Sequence, residues 1–412
     1  MTARKGALSE VRVLDLGTIT AGAATSGVFA DFGADVIKIE WPGQLDPFRH
    51  WTQIASSGTP DYNSSPPFHV VNRGKRSVGI NLKSTSGRAL LLRLAAHCDI
   101  VVENFRRGVL ERLGLDFSAL REANPQIVLL SLTSQGVAGP DAKYGSFGST
   151  LDALGGLMSV TGYAPSEPLW SSNNINYPDQ LVSFLGPGVA LAALRQARES
   201  GKAVWVDFSQ REAVTFAIGE QFVRYAKTGE LPIPQGNAEA GTIQGVYESA
   251  VSDRWVAVSV PADGEQLQAL LGVIGAASDV GAAPASGQIH ALLGEWVRTQ
   301  PPEVAEQQLR AAGVAATVVR NAAEVLRDDQ LDALGFFQPV ESKIGSTLQR
   351  GYTARLSRTP GVIRAAAPDL GQHTREVLDK MLHLEGPEIE KLHREEAIFI
   401  PDLQGAEIAL AK

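Results

Sequence analysis

One carboxylate stands out by its surroundings. In NYPDQLVSFLG, residues 176–186, Asp179 lies between a proline and an apolar run. An aspartate ahead of an apolar helix can accept a bond from first-turn N–H groups and cap the helix. A helix N-terminus also favours its ionised form, and an ionised carboxylate can attack an activated carbonyl. The two roles are compatible, and the local pattern leaves both open. Asp152, within a helical pattern, and Asp207, at the end of a strand, are rival carboxylates. Cations gather in NRGKRS, NLKS and ENFRRGVLERLG, on loops at strand ends. Ligands of open α/β sheets bind there, and phosphates need such cations.

Other chemistries fit poorly. The seven histidines are scattered, and no pair lies at a ligand spacing beside carboxylates. The one cysteine, Cys98, allows neither an internal disulfide nor a cysteine metal cluster, and LAAHCDIVV reads as a buried context. No G-x-S-x-G occurs, so a nucleophile elbow is missing. Gly17, Gly22 and Gly27 follow the first strand, and Glu40 ends the second about twenty residues on, which invites a dinucleotide reading. The glycines fall five apart instead of as G-x-G-x-x-G. Close helix–strand packing is the better account of them.

The elements that must hold these residues alternate. VRVLDLG, DVIKIE, RSVGINL, DIVVENF, QIVLLSLTS and KAVWVDFS read as strands. AATSGVFADFGA, STSGRALLLRLAAHC and SALREANP read as helices between them. Such alternation argues for an α/β fold with a parallel sheet covered by helices. GVAGPDAKYGSFGSTLDALGGLMSVTGYAPSEP reads as loops around one short helix. After Asp179 a long apolar helix is expected, kinked or broken at its GPG. QREAVTFAIGEQFVRYAKTG reads as one amphipathic helix. ELPIPQGNAEAG is a linker, and beyond it GVYESAVSDRWVAVSV reads as a hairpin turning at Ser252-Asp253, followed by helices and the strand AATVVR. These signals divide the chain into residues 1–225, a large domain's first part; 226–330, a small domain with linkers; and 331–412, a return segment.

The 412 residues suffice for two or three domains. Hydrophobic residues at 44% and charged residues at 20% are ordinary for a soluble globular chain. A net charge of −8 argues against coating nucleic acid or an anionic membrane. The N-terminus MTARKGALSE lacks a signal peptide's apolar stretch, and no window is apolar for about 18 residues. The expected location is cytoplasmic.

Taken together, several stretches resemble the family III CoA-transferases, the CaiB/BaiF group. They are VRVLDLGTITAG…FADFGADVIKIE, NRGKRSVGINLKSTSGRALLLRL…CDIVVENFRRGVLERLGL, SLTSQGVAGP, GGLMSVTG, YPDQLVSFLGPGVALAALRQARESGKAVWVDFSQREA, GVAATVVRNAAEVLRDDQLDALGFF and LGQHTREVL. They cover nearly the whole chain in family order. The resemblance implies a Rossmann-like large domain with an inserted smaller α/β domain, and a homodimer of interlocked rings. It implies that Asp179, which precedes Ala192-Ala193-Leu194 by the family's interval, is the nucleophile. Asp179 would attack an acyl-CoA thioester to give an aspartyl anhydride, then an aspartyl-CoA thioester that an acceptor acid reverses. Coenzyme A would be substrate and carrier, with no tightly bound cofactor and no metal. Matched residue by residue, Ile80 and Lys83 should lie by the adenine, and Asn104, Phe105, Arg106, Arg112 and Leu113 should line the nucleotide. Thr20, Ala21 and Phe147 should face the pantetheine arm and thioester.

Three positions depart from the family pattern. Arg107 replaces a proline, Thr20 replaces the glutamine of formyl-CoA transferase-like members, and NAEAGTIQG replaces their glycine-rich lid. The alternatives are an α-methylacyl-CoA racemase, an isomerase moving CoA within one dicarboxylate, and a CoA-binding protein without turnover. Ser146 after Gly145, and the lack of any histidine between His97 and His290, count against racemisation.

Overall fold

The computed structural model describes residues 5–51, 61–163, 168–170, 176–276 and 286–401. Residues 164–167 of the expected loop region lie outside these. Six parallel strands form the main sheet: β1 (Arg12–Asp15), β2 (Asp35–Glu40), β3 (Arg76–Ile80), β4 (Ile100–Glu103), β5 (Val128–Ser131) and β6 (Val204–Asp207). Their spatial order is β3-β2-β1-β4-β5-β6, with the short β12 (Ile398–Phe399) antiparallel beside β3.

Helices cover both faces at the centre of this sheet, so β4 and β5 are buried at every position, whereas the edge strand β6 alternates half-buried and exposed residues. Successive side chains go to opposite faces. Leu14, Ile37, Val78, Val101 and Leu129 enter one core, with α2 (Thr85–Ala95), α12 (Thr374–Leu382) and α13 (Gly386–Arg394). Their neighbours Val13, Val36, Ile100, Val102 and Val128 enter the other, with α1 (Ala21–Asp31) and α6 (Tyr177–Ser200). Short polar residues start several helices: Ser84 accepts from the Gly87 N–H at 2.9 Å and Asp116 from that of Ala119 at 3.0 Å, opening α2 and α4 (Phe117–Ala123).

The described residues fall into two units. The first is drawn from within Met1–Leu157, Ser171–Val223 and Gln330–Lys412 and holds the main sheet. It also carries the hairpin of β10 (Phe337–Ser342) and β11 (Gly345–Arg350). The second is drawn from within Met158–Trp170 and Arg224–Asp329. Its antiparallel sheet of β7 (Thr242–Glu248), β8 (Trp255–Pro261) and β9 (Ala315–Val318) packs on α9 (Gly264–Val273), α10 (Ser286–Arg298) and α11 (Pro302–Ala311). Asp253 takes φ +58 in the β7–β8 turn, an aspartate-tolerant left-handed conformation.

Two helix expectations need correction. α6 runs unbroken from Tyr177 to Ser200 through Pro187. Tertiary packing holds it: Val182, Ala190, Ala193, Leu194 and Ala197 are core residues. The amphipathic stretch after β6 is two helices, α7 (Gln210–Ala217) and α8 (Gly219–Thr228), parted at Ile218. Ile218 leaves the helical range, and Gly219 weakens helix propagation there.

Candidate active site

Asp179 is not the cap of its helix. Asn176 occupies the N-cap of α6, Pro178 sits in the first turn, and Asp179 follows it there. Its side chain is half-buried and interacts with that of Asn176. Burial pushes its pKa up to about 6; the Asn176 bond opposes this, and the nearby Asp152 carboxylate adds to it. Asp152, buried in α5 (Gly148–Leu154), is therefore a neighbour of Asp179 and not merely a competing candidate. Asp207 is occupied elsewhere, accepting the Val137 N–H at 2.9 Å.

The first loop adjoins the same helix turn. Thr20 is the N-cap of α1, and its carbonyl lies 3.4 Å from the Ser183 hydroxyl. That hydroxyl donates to the Asp179 carbonyl at 2.6 Å. Thr20 is thus linked through Ser183 to the backbone of Asp179, and both Thr20 and Ala21 are buried. Ser183 carries this link, and nothing in its sequence context singled it out.

Asn104 serves the same loop. Its side chain accepts from the Thr18 N–H at 2.9 Å and donates to the Thr18 carbonyl at 3.0 Å. Gly22 makes the approach possible, because a Cβ there would lie 2.7 Å from Asn104 Oδ1 and 2.5 Å from the Gly17 Cα. Gly17 and Gly22 pack backbone against backbone, a close approach that glycine alone allows.

Arg106 reaches a different neighbour. Its guanidinium rests on Gly145, two residues from the exposed Phe147. Phe147 opens α5, and its backbone is tied on both sides by the Thr150 hydroxyl. Gly148 lies against Asn176, where a Cβ would come within 2.4 Å of the Asn176 side chain. A chain of contacts therefore runs from Arg106 through Gly145–Gly148 to Asn176 and Asp179.

The remaining expected contacts divide. Arg112, on α3 (Val109–Leu113), and Lys83 are exposed and make no ion pair among the described residues. Phe105 and Leu113 are half-buried against the core. Ile80 is a core residue paired with Ile398, so its side chain packs inward and only the strand end after it faces loops. Glu103 was missed by sequence reading. Burial lifts its pKa to about 7 against bonds from Ser131 and the Phe105 N–H, and it lines a cavity of about 360 Å³ with Arg106, Arg107, Phe117, Ser131 and Trp205. Among the described residues no group of three or more His, Cys, Asp or Glu could hold a metal ion, and no helix is long and apolar enough to cross a membrane.

Comparison with known proteins places these features in context. Residues 8–374 match CoA-transferase family III. A succinyl-CoA–D-citramalate CoA-transferase of Chloroflexus aurantiacus is 30% identical, over 95% of this chain and 98% of its own. A succinate–glutarate CoA-transferase of Agrobacterium fabrum is also 30% identical, over 93% of this chain and 98% of its own. A crystal structure of a CaiB/BaiF family protein from Brucella suis superposes with a TM-score of 0.83 at 26% identity, covering 92% of this chain and 100% of that one.

Proposed function

The chain belongs to CoA-transferase family III, and on that premise we propose that it moves CoA from an acyl-CoA thioester to a carboxylic acid through covalent intermediates on Asp179. The observation that carries this reading is the setting of Asp179: a half-buried carboxylate in the first turn of α6, beside the Thr20 loop. A carboxylate is a weak nucleophile, so placement must supply much of the rate. Withdrawal from water makes its ionised form more reactive, at the cost of a raised pKa.

The bonds balance without any further reagent. The Asp179 carboxylate attacks the thioester carbon, forming an aspartyl–acyl anhydride and releasing CoA thiolate. The thiolate attacks the aspartyl carbonyl, giving aspartyl-CoA thioester and the donor acid. The acceptor carboxylate then attacks that thioester, giving a second anhydride and CoA thiolate. Return of the thiolate to the new acyl carbon yields the new acyl-CoA and regenerates Asp179.

Arg112 holds the phosphate end of CoA, with Lys83 and the strand end at Ile80 by the adenine and Arg106, Asn104, Phe105 and Leu113 lining the nucleotide. The support for Arg112 and Lys83 is exposure and charge without an ion pair among the described residues, and for the set as a whole its position after β3 and β4, where ligands of parallel sheets bind. Asn104 acts there chiefly by fixing the Thr18 backbone. Thr20, Ala21 and Phe147 bound the pantetheine arm.

The working form is a homodimer in the cytoplasm. Phe216, Phe222 and Val223 on α7 and α8 leave large apolar surfaces exposed, the kind of patch a second copy covers. The two relatives named above act on dicarboxylates or their CoA esters, so the first donor to try is succinyl-CoA. Incubation of that donor with a panel of carboxylic acids, read by product mass, tests the reading. At least one new acyl-CoA should form; hydrolysis alone, or no reaction across donors and acids, would set it aside.

A further inference from the structure

The turn between β1 and α1 contains a residue that should not be there on local grounds. Ile19 has φ +56, a left-handed conformation that a β-branched side chain strongly disfavours. Such residues persist only where their surroundings over-determine them, and they cluster at functional sites.

The surroundings are unusually specific. The Ile19 N–H faces both carboxylate oxygens of Asp46, at 3.1 and 3.3 Å. Asp46 also accepts from the Phe48 N–H at 3.0 Å and from Lys38 Nζ at 3.1 Å. Lys38 reaches past it to the Gly17 carbonyl at 2.7 Å. Both side chains of this ion pair are 1% exposed. On the opposite flank Asn104 grips Thr18 through two bonds, and Asp15 accepts the Gly17 N–H at 2.9 Å. Gly17, Thr18 and Ile19 are each held by a side chain from elsewhere in the fold. The next residue, Thr20, is the one whose carbonyl meets Ser183 beside Asp179.

A buried ion pair is a poor device for stability alone, because desolvation offsets most of its attraction, but it can select one geometry. Burial works against the charge of Lys38, and Asp46, Asp15 and Glu40 outweigh it.

We propose that Asp46 and Lys38 are positioning residues for the transfer reaction, locking the Gly17–Thr20 turn in its strained form so that Thr20 and Ala21 hold the substrate thioester in register with Asp179. The proposal rests on Asp179 being the nucleophile. Asp46 touches no substrate; it acts through the Ile19 N–H. The strain is the cost of bringing Thr20 back toward α6, and the ion pair offsets it.

The test uses the full-length protein with succinyl-CoA, or whichever donor the acid screen identifies, and three variants. Asp46→Asn keeps the shape but removes the charge that grips the Ile19 N–H and Lys38. It should lower kcat at least tenfold while KM for the acyl-CoA changes less than threefold. Ile19→Gly added to Asp46→Asn should restore kcat at least threefold, because glycine takes a positive φ without strain. A loss due only to weaker folding would not be repaired by deleting a partly packed isoleucine, and melting temperatures measured in parallel separate the two. If Asp46→Asn does not fold, Asp46→Glu, which keeps the charge but displaces the carboxylate by one methylene, is read the same way. Wild-type kcat in a folded Asp46 variant, or no recovery with Ile19→Gly, overturns the proposal. Trapping of the acyl group on Asp179 in the wild-type protein is measured first. Its absence there would refute the nucleophile reading whatever Asp46 does.

Discussion

At the scale of single residues, the decisive quantity is the ionisation of Asp179. With its pKa raised to about 6, Asp179 in the proposed role of nucleophile works in its ionised form, above that pH. The rate at limiting acyl-CoA should rise with pH through an inflection near 6 and fall about tenfold per unit below it, as expected when one carboxylate must be ionised. Stability should run the other way. The folded protein holds the proton more tightly than the unfolded chain, so the penalty of ionising Asp179 grows as pH rises from about 4 to 6 and is complete above that. Asp179→Asn removes the penalty. It should raise unfolding free energy at pH 8 by up to about 3 kcal/mol and leave it nearly unchanged at pH 4; equal melting shifts at both pH values would contradict the burial account. Arg112 tests the other end of the substrate. Arg112→Ala should weaken acyl-CoA binding by about 1–3 kcal/mol, the scale of a lost charged hydrogen bond, with kcat little changed. Calorimetric titration showing unaltered affinity would remove Arg112 from the site.

At the scale of elements, the placement of Asp179 depends on how closely α1, α6 and the β4 loop approach one another. Gly22 and Gly188 separate packing from propensity. A Cβ at Gly22 would collide with the Gly17 backbone and the Asn104 amide, whereas at Gly188 it meets nothing within 4 Å. Gly22→Ala should therefore destabilise by about 1–3 kcal/mol and slow transfer. Gly188→Ala, in the middle of α6, should stabilise by about 0.5–1 kcal/mol. Denaturant titration decides both, and a harmless Gly22→Ala would mean that the loop is not held as described. The same elements show what the sequence made legible. The alternation of apolar strands and capped helices announced the parallel sheet, because its inner strands, such as β4 and β5, are buried at every position and each carries its own apolar signal. The Ile398–Phe399 strand could not be read, since two residues have no periodicity and their pairing with Gly79 and Ile80 spans most of the chain. Of the kink or break expected at Pro187, the break does not occur, because packing on the sheet outweighs a local break signal. At the candidate site, Asp179 drew attention by its local setting, whereas Thr20 and Asn104 entered only through the ordered set of motifs. Asp152 was read only as a rival, and its place beside Asp179 was not legible; Ser183 and the grip of Asp46 on Ile19 were not legible either, because these contacts join separate segments.

At the scale of the whole molecule, a transferase and a racemase on this fold would part over one carbon–hydrogen bond. Transfer leaves the carbon beside the thioester untouched, so a chiral 2-methylacyl-CoA in deuterated water should keep its configuration and take up no deuterium. Exchange at the rate of turnover would favour the racemase. The account as a whole stands on a covalent link between the intact chain and its substrate. Wild-type protein given acyl-CoA and then hydroxylamine should acquire a hydroxamate at Asp179, located by peptide mass, because both the anhydride and the aspartyl-CoA thioester are open to that nucleophile. Asp179→Asn should show none, and should lose transfer by at least about three orders of magnitude while retaining fold and CoA affinity. A hydroxamate on another residue, or full transfer by Asp179→Asn, would contradict the account.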